Sequence, residues 1–319
     1  MLPLFARAGA AMIPGASKLP LIGGGRRGEQ VPDTTLVLEE VGVDRQRLAA
    51  YDRVCGFPLR DQLPCTYPHM LAFPLHLQLM TDPAFPFPAL GLVHVANRIV
   101  QHRRVMAGET LSLRVRATPL EPHPRGRQFT LRSEARVAGE LVWEEDSTIL
   151  KRGGGSGEAA GREAAEGEPA GREAPEGEPA GREAPEGEPA GREAPEPGGS
   201  ARGAGELPVS ATWRLPGDLG RRYAAVSGDF NPIHVHPLSA RLFGFPTAIA
   251  HGMWTKARCL AALDPRLPER FTVEARFRKP ILLPATVQFG ERALDGTGIE
   301  FSVRGAGKGT PHLDGRVAF

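Results

Sequence analysis

Asp229 and His234 place a carboxylate and an imidazole five residues apart in a run rich in turn-formers, Tyr223-Ala224-Ala225-Val226-Ser227-Gly228-Asp229-Phe230-Asn231-Pro232-Ile233-His234. Gly228, Asp229, Asn231 and Pro232 favour turns because glycine reaches positive φ, proline fixes φ, and Asp and Asn bond their own backbone. A turn of that kind would hold a carboxylate and an imidazole rigidly on one short loop. The same residues also make an ordinary Asx turn with incidental polar side chains, and local spacing does not choose between the two. Seventeen residues beyond His234, His251-Gly252-Met253 opens an apolar run that reads as a helix to Leu263, before Asp264-Pro265.

The elements around these residues repeat. In the first half, Thr35 to Leu38 reads as a strand and Asp44 to Val54 as a helix. His69 to Met80 is apolar nearly all round, as a helix wrapped by other structure must be, and Pro74 is expected to weaken or kink it. Strand-like runs follow at Leu92 to Val100, Leu111 to Arg116, Phe129 to Arg132, Glu134 to Val137, Leu141 to Trp143 and Thr148 to Leu150, with Arg114, Arg116 and Arg132 on the solvent side. The second half has the same plan: a strand at Val209 to Leu215, a helix at Leu219 to Val226, and the helix from His251. Its later strands are expected at Phe271 to Phe277, Thr286 to Phe289, Ile299 to Val303 and Gly315 to Phe319. Tyr67-Pro68-His69-Met70 stands where Ala250-His251-Gly252-Met253 stands, which marks two diverged copies of one α+β unit.

Between the copies the unit Gly171-Arg172-Glu173-Ala174-Pro175-Glu176-Gly177-Glu178-Pro179-Ala180 recurs from Gly181 and starts again at Gly191. Without large apolar residues it cannot bury enough surface to offset ordering, so residues 153–205 read as a disordered linker. As a flexible coil it would span roughly 40 Å. It carries five Arg and twelve Glu, a net −7; the whole chain is +2, so the remainder carries +9 and suits an anionic ligand. Nucleic acid is the generic candidate, but no Lys/Arg cluster interleaved with aromatics points to it; the phosphates of an acyl carrier such as coenzyme A fit the charge equally well, and charge alone does not choose. Residues 1–30 mix apolar residues with Arg and Lys, and Pro3, Gly9, Pro14, Gly15 and Pro20 break every apolar run, so they read as an extended arm rather than a membrane span. Cys55, Cys65 and Cys259 have no metal-type spacing and suit buried thiols in a reducing cytoplasm. His69, His76, His94 and His102 show no partner in the sequence and read as ordinary packed or surface histidines.

The Tyr223–His234 run, with Ala240 beyond it and His251-Gly252-Met253 as a second landmark, resembles the hydratase-2 signature of the MaoC-like dehydratase family. The resemblance implies a double hot-dog fold of class α+β, two curved antiparallel sheets each wrapped around a long helix. The halves are then 31–152, which lacks the motif and accommodates the acyl chain, and the catalytic 206–319. It also implies reversible hydration of a trans-2-enoyl-CoA to the (3R)-hydroxyacyl-CoA by an Asp229/His234 dyad. Gly252 is expected to offer its N–H to the thioester oxygen, while Asn231, Ser227, Gly228 and His251 shape the site. Arg278 and Lys279 could meet coenzyme A phosphates, or lie on a solvated sheet face. A dehydratase for acyl carrier protein substrates and a non-catalytic acyl-thioester-binding protein are the other readings. No cofactor is expected. A metal on His234, His236 and His251 is set aside, since two of them flank Val235 and the nearest acid is Asp229. Ser227 lacks the Gly-x-Ser-x-Gly elbow of a nucleophile. A homodimer is implied by the family alone.

Overall fold

Among the described residues, alternating apolar and polar residues lay down eleven strands. The first half contributes β1 (Thr35–Val41), β2 (Leu92–Gln101), β3 (Leu111–Ala117), β4 (Glu121–His123), β5 (Gly126–Val137) and β6 (Glu140–Arg152). The second contributes β7 (Val209–Leu215), β8 (Phe271–Phe277), β9 (Ala285–Leu294), β10 (Gly298–Gly305) and β11 (Pro311–Ala318). This computed structural model describes residues 30–89, 91–153 and 207–319; the expected arm and linker lie, but for their border residues, outside them. Leu113, Val115 and Leu131 are buried while Arg114, Arg116 and Arg132 face out, as the alternation requires.

The strands form one sheet in the order β1-β3-β5-β6-β2-β8-β11-β10-β9-β7, with β4 beside β5. Read inward from both ends, β1 answers to β7, β3 to β9, β5 to β10, β6 to β11 and β2 to β8. The two copies therefore meet edge to edge, β2 antiparallel to β8, with Ile99 opposite Val273 and Arg98 opposite Glu274. Ile99 and Val273 are both fully buried, so the seam belongs to the core. The double hot-dog is one continuous sheet, and each half covers the edge its partner would otherwise expose.

The described residues also form six α-helices: α1 (Arg45–Cys55), α2 (Tyr67–Met80), α3 (Leu219–Ser227), α4 (Pro232–Val235), α5 (Pro237–Leu242) and α6 (Gly252–Leu263). Asp44 caps α1 by accepting from the Gln46 and Arg47 N–H groups, and Gly56 ends it at φ 84°. α2 runs through Pro74 to Met80 and is buried on nearly every side. α6 is its counterpart, and even its Lys256 is fully buried. The short α4 and α5, each starting at a proline, were not expected from periodicity, which needs more than one turn to register. The three cysteines are buried free thiols, as expected. No helix among the described residues is long and apolar enough to cross a membrane.

The first-half histidines correct the sequence reading. His69 Nδ1 lies 2.8 Å from the buried Glu145 carboxylate, His76 Nε2 lies 2.7 Å from Ser133 Oγ, and His102 Nε2 lies 2.7 Å from Glu144. Each partner is on β5 or β6, brought over by sheet formation from 42 to 76 residues away.

Candidate active site

α3 ends at Gly228, whose φ of 80° turns the chain and lets its N–H donate to the Ala224 carbonyl at 2.8 Å. Asp229 N–H then donates to Ser227 Oγ at 3.1 Å, Asn231 N–H donates to Asp229 Oδ1 at 3.1 Å, and Asn231 Oδ1 caps α4. The Asx turn read from the sequence is therefore present, and it fixes the backbone that carries Asp229.

His234 sits on the single turn of α4, buried, with its Nδ1–H donating to the Ile249 carbonyl at 2.8 Å. That bond fixes the neutral tautomer and leaves the lone pair on Nε2. Burial lowers the His234 pKa from its ordinary 6.5, with the Asp229 charge and the Ile249 bond opposing. His251, at the start of α6, donates Nε2–H to the Asp229 carbonyl at 3.0 Å. Its ring stacks on His234 with centroids 3.7 Å apart and packs against Tyr223 at 4.8 Å. Burial, and then the neighbouring His234, hold His251 well below 6.5. Two charged imidazoles stacked this closely would repel, so both rings are neutral at neutral pH.

Asp229, His234 and His251 each offer a ligand-type atom within 4.8 Å of the others. The trio weighed from the sequence does not form, because His236 turns away and caps α5, accepting from Leu238 N–H at 3.1 Å. Gly252 is the first residue of α6, so its N–H is among those a helix leaves without an internal partner. A Cβ there would meet the Phe277 ring at 3.1 Å, so packing as well as ligand access asks for glycine.

Two positioning residues escaped the sequence. Gly220, on α3, lies flush against α4, and a Cβ on it would stand 2.9 Å from the His234 carbonyl carbon and nearer still to its oxygen. Arg47 of α1 donates Nε–H to the Val226 carbonyl at 2.8 Å and Nη2–H to that of Ser227 at 3.3 Å, satisfying the last carbonyls of α3 immediately before the turn. The first half thus braces the loop of the second. Only a pattern of close approach could have flagged Gly220, and nothing local marks Arg47.

These groups open on a cavity of about 440 Å³ that continues into the first half. Phe245, Met253 and Phe277 wall it near the pair, and Phe73, Leu77 and Met80 of α2 wall it farther on. Arg278 and Lys279 also border it, Arg278 pairing with Asp314 at 2.8 Å.

The family model of the MaoC like domain matches residues 196–302. The chain is 36% identical over 304 residues to 3-hydroxyacyl-thioester dehydratase X of Mycobacterium tuberculosis, covering 95% of this chain and 94% of that protein. The crystal structure of HtdX from Mycobacterium tuberculosis superposes with a TM-score of 0.69 at 34% identity, covering 89% of this chain and 99% of that one. A MaoC-like dehydratase from Phytophthora capsici shares the fold, with a TM-score of 0.63 at 18% identity over 91% of this chain and 96% of the other.

Proposed function

We propose, from the premise that this chain belongs to the MaoC-like dehydratase family and is a hydro-lyase of that kind, that it reversibly hydrates trans-2-enoyl-CoA to the (3R)-hydroxyacyl-CoA. The observation that carries this reading is the Nε2 lone pair of His234, aimed by the Ile249 bond, beside the Asp229 carboxylate on one cavity wall. A water donating to both groups needs acceptors about 4.4 Å apart at ordinary O–H···O distances. Asp229, His234 and His251 each bring a ligand-type atom to within 4.8 Å of the others, close enough for one water to be shared.

In the hydration direction the water oxygen bonds to C3 while one of its protons passes to His234 Nε2. The C2=C3 π electrons shift toward C2 and the thioester oxygen, giving an enolate-like centre. The proton held on the imidazolium then moves to C2, so one water is consumed and the pair returns to its starting state. Asp229 aligns the water and steadies the imidazolium. The Gly252 N–H, with the α6 dipole behind it, steadies the thioester oxygen. The first half, whose α1–α2 connection carries no second Asp/His motif, houses the acyl chain, and the cavity passing beneath α2 supports that role. Lys279 and Arg278 on the same cavity suit a phosphate-bearing carrier.

Crotonyl-CoA tests the reading, with loss of the conjugated thioester absorbance as the signal. Turnover that falls about 10²–10⁴-fold in Asp229→Asn is expected for a proton-transfer pair. No turnover of crotonyl-CoA or a longer enoyl-CoA by the wild type overturns the reaction, and full activity in Asp229→Asn overturns the pair.

A further inference from the structure

Lys256 lies on α6 four residues beyond Gly252, so the two share one face of the helix. It is 0% exposed and cannot touch a ligand in the cavity. A buried ammonium loses its water, a cost that an apolar side chain at the same place would avoid. With His69 standing where Gly252 stands, the corresponding place on α2 holds Phe73. The copy without the Asp/His motif therefore has neither this glycine nor this lysine.

The partners of Lys256 tie α6 to both sides of the seam. The ammonium donates to the Val273 carbonyl of β8 at 3.3 Å, to the Asn97 carbonyl of β2 at 3.2 Å and to the Asn97 side-chain oxygen. All three acceptors are neutral oxygens. The Asn97 amide in turn donates to Glu145 Oε1 at 2.6 Å and to Ser147 Oγ at 3.0 Å, and Glu145 also accepts from His69 Nδ1 at 2.8 Å. Asn97 thus stands between a cation on α6 and an anion on β6. Just ahead of it the β2/β6 register slips between His94 and Ala96, a bulge at Val95. Beyond the bulge Asn97, Ile99 and Gln101 share the buried face of the strand.

We propose that Lys256 is a positioning residue of the reaction, which seats α6 on the β2–β8 seam and adds a fixed positive charge behind the Gly252 N–H. The inference rests on the reading that this N–H receives the thioester oxygen. That oxygen is a neutral carbonyl in the bound substrate and gains negative charge as water adds to C3. A charge held in place beforehand therefore lowers the barrier more than it tightens binding. At roughly 8–10 Å, one helical turn plus a hydrogen bond, and an effective dielectric constant of about 20, it alters the rate about tenfold.

Burial lowers the Lys256 ammonium from its ordinary 10.5 to about 8, with Cys65, Glu145 and Glu274 opposing and Arg98 assisting. Of the groups facing it, Cys65 ahead of α2 is pushed up to about 12, Glu145 of β6 is held at about 2 and His94 of β2 is lowered to about 3. None of these three changes charge near pH 8. Glu274 of β8 and Arg98 of β2 pair with each other at 3.4 Å. The ammonium is charged below about pH 8 and neutral above it, so its support is present at lower pH and is lost as the pH rises through that value.

Lys256→Met keeps the length of the side chain and removes the charge. Hydration of crotonyl-CoA gives kcat, KM and their profile across neutral and alkaline pH. Bound para-dimethylaminocinnamoyl-CoA, an enoyl thioester whose absorbance moves to the red as its carbonyl is polarised, reads the same site without turnover. In Lys256→Met kcat is expected to fall about tenfold with KM nearly unchanged, and the red shift to shrink. The wild-type decline in kcat above about pH 8 should be absent from the variant. Lys256→Met combined with Glu145→Gln, which removes both buried charges, should melt at or above the wild-type temperature and stay slow. Recovery of kcat in that double variant overturns the inference and makes Lys256 a counter-ion to Glu145. Wild-type kcat and red shift in Lys256→Met, or the same alkaline decline, overturn it as well. Absence of a red shift in the wild type overturns it whether or not crotonyl-CoA turns over. A red shift that depends on Lys256, in a wild type that does not hydrate crotonyl-CoA, would keep the positioning role and remove the hydration reading.

Discussion

Gly220→Ala tests whether the placement of His234 limits the reaction. In a helix this exchange is ordinarily favourable, by about 1 kcal/mol. Here the added methyl would lie 2.9 Å from the His234 carbonyl carbon and closer to its oxygen, where carbon atoms settle at about 3.5–4.0 Å. Relief requires α3 and α4 to part by more than about 1 Å, because the oxygen is the nearer atom and sets the movement. The neighbours resist that movement, since Gly228 closes α3 and the Ile249 N–H donates to the Ile233 carbonyl at 3.0 Å. Overpacking of this kind costs about 1–3 kcal/mol, enough to cancel the helix gain or exceed it. Misplacing a reacting group by about 1 Å lowers rate about 10²-fold, so the variant should fold, melt at or somewhat below the wild-type temperature, and hydrate crotonyl-CoA about 10²-fold more slowly. A variant that melts higher than the wild type at full activity would show that α4 does not need its present position.

Three further outcomes follow from the same geometry. Because burial lowers the His234 pKa below 6.5 and the ring must be neutral to take a proton, kcat/KM should hold at pH 6.5 and fall only in more acid solution; an acid limb centred at or above 6.5 would contradict the assignment. Arg47→Ala removes two bonds to the carbonyls ahead of the turn, and is expected to lower the melting temperature and reduce kcat about tenfold with little change in KM. A KM effect alone would place Arg47 in binding instead. Prolonged dialysis against a chelator should leave turnover unchanged, whereas loss restored by a divalent ion would point to a metal on one of two ligand-type clusters, Asp229, His234 and His251 or His69, His76 and Glu145.

What the sequence reveals depends on how far apart the cooperating residues are. The Ser227–His234 run was legible because its whole frame, cap and turn included, lies within eight residues. The strands and the two long helices were legible because burial on one face or on all faces repeats within each segment. Arg47 acts 179 residues away, Gly220 matters only because α4 folds back on it, and Glu145 finds His69 across 76 residues. Those relations exist only once the sheet has formed. The bulge at Val95 is subtler still, since Leu92 to Val100 looks like any half-buried strand until its partner's register is known.

The β2–β8 seam has a consequence for how this molecule could change over generations. A sheet built from two identical chains must carry every substitution twice, so a change that suits one side is imposed on the other. Here both sides are written out separately within one chain. His69 can occupy the first turn of α2 while Gly252 occupies that of α6, the one a bulky imidazole and the other no side chain at all. Each copy is thereby free to vary without imposing the change on the other, and the join at Ile99 and Val273 lets them drift apart in sequence without coming apart in space.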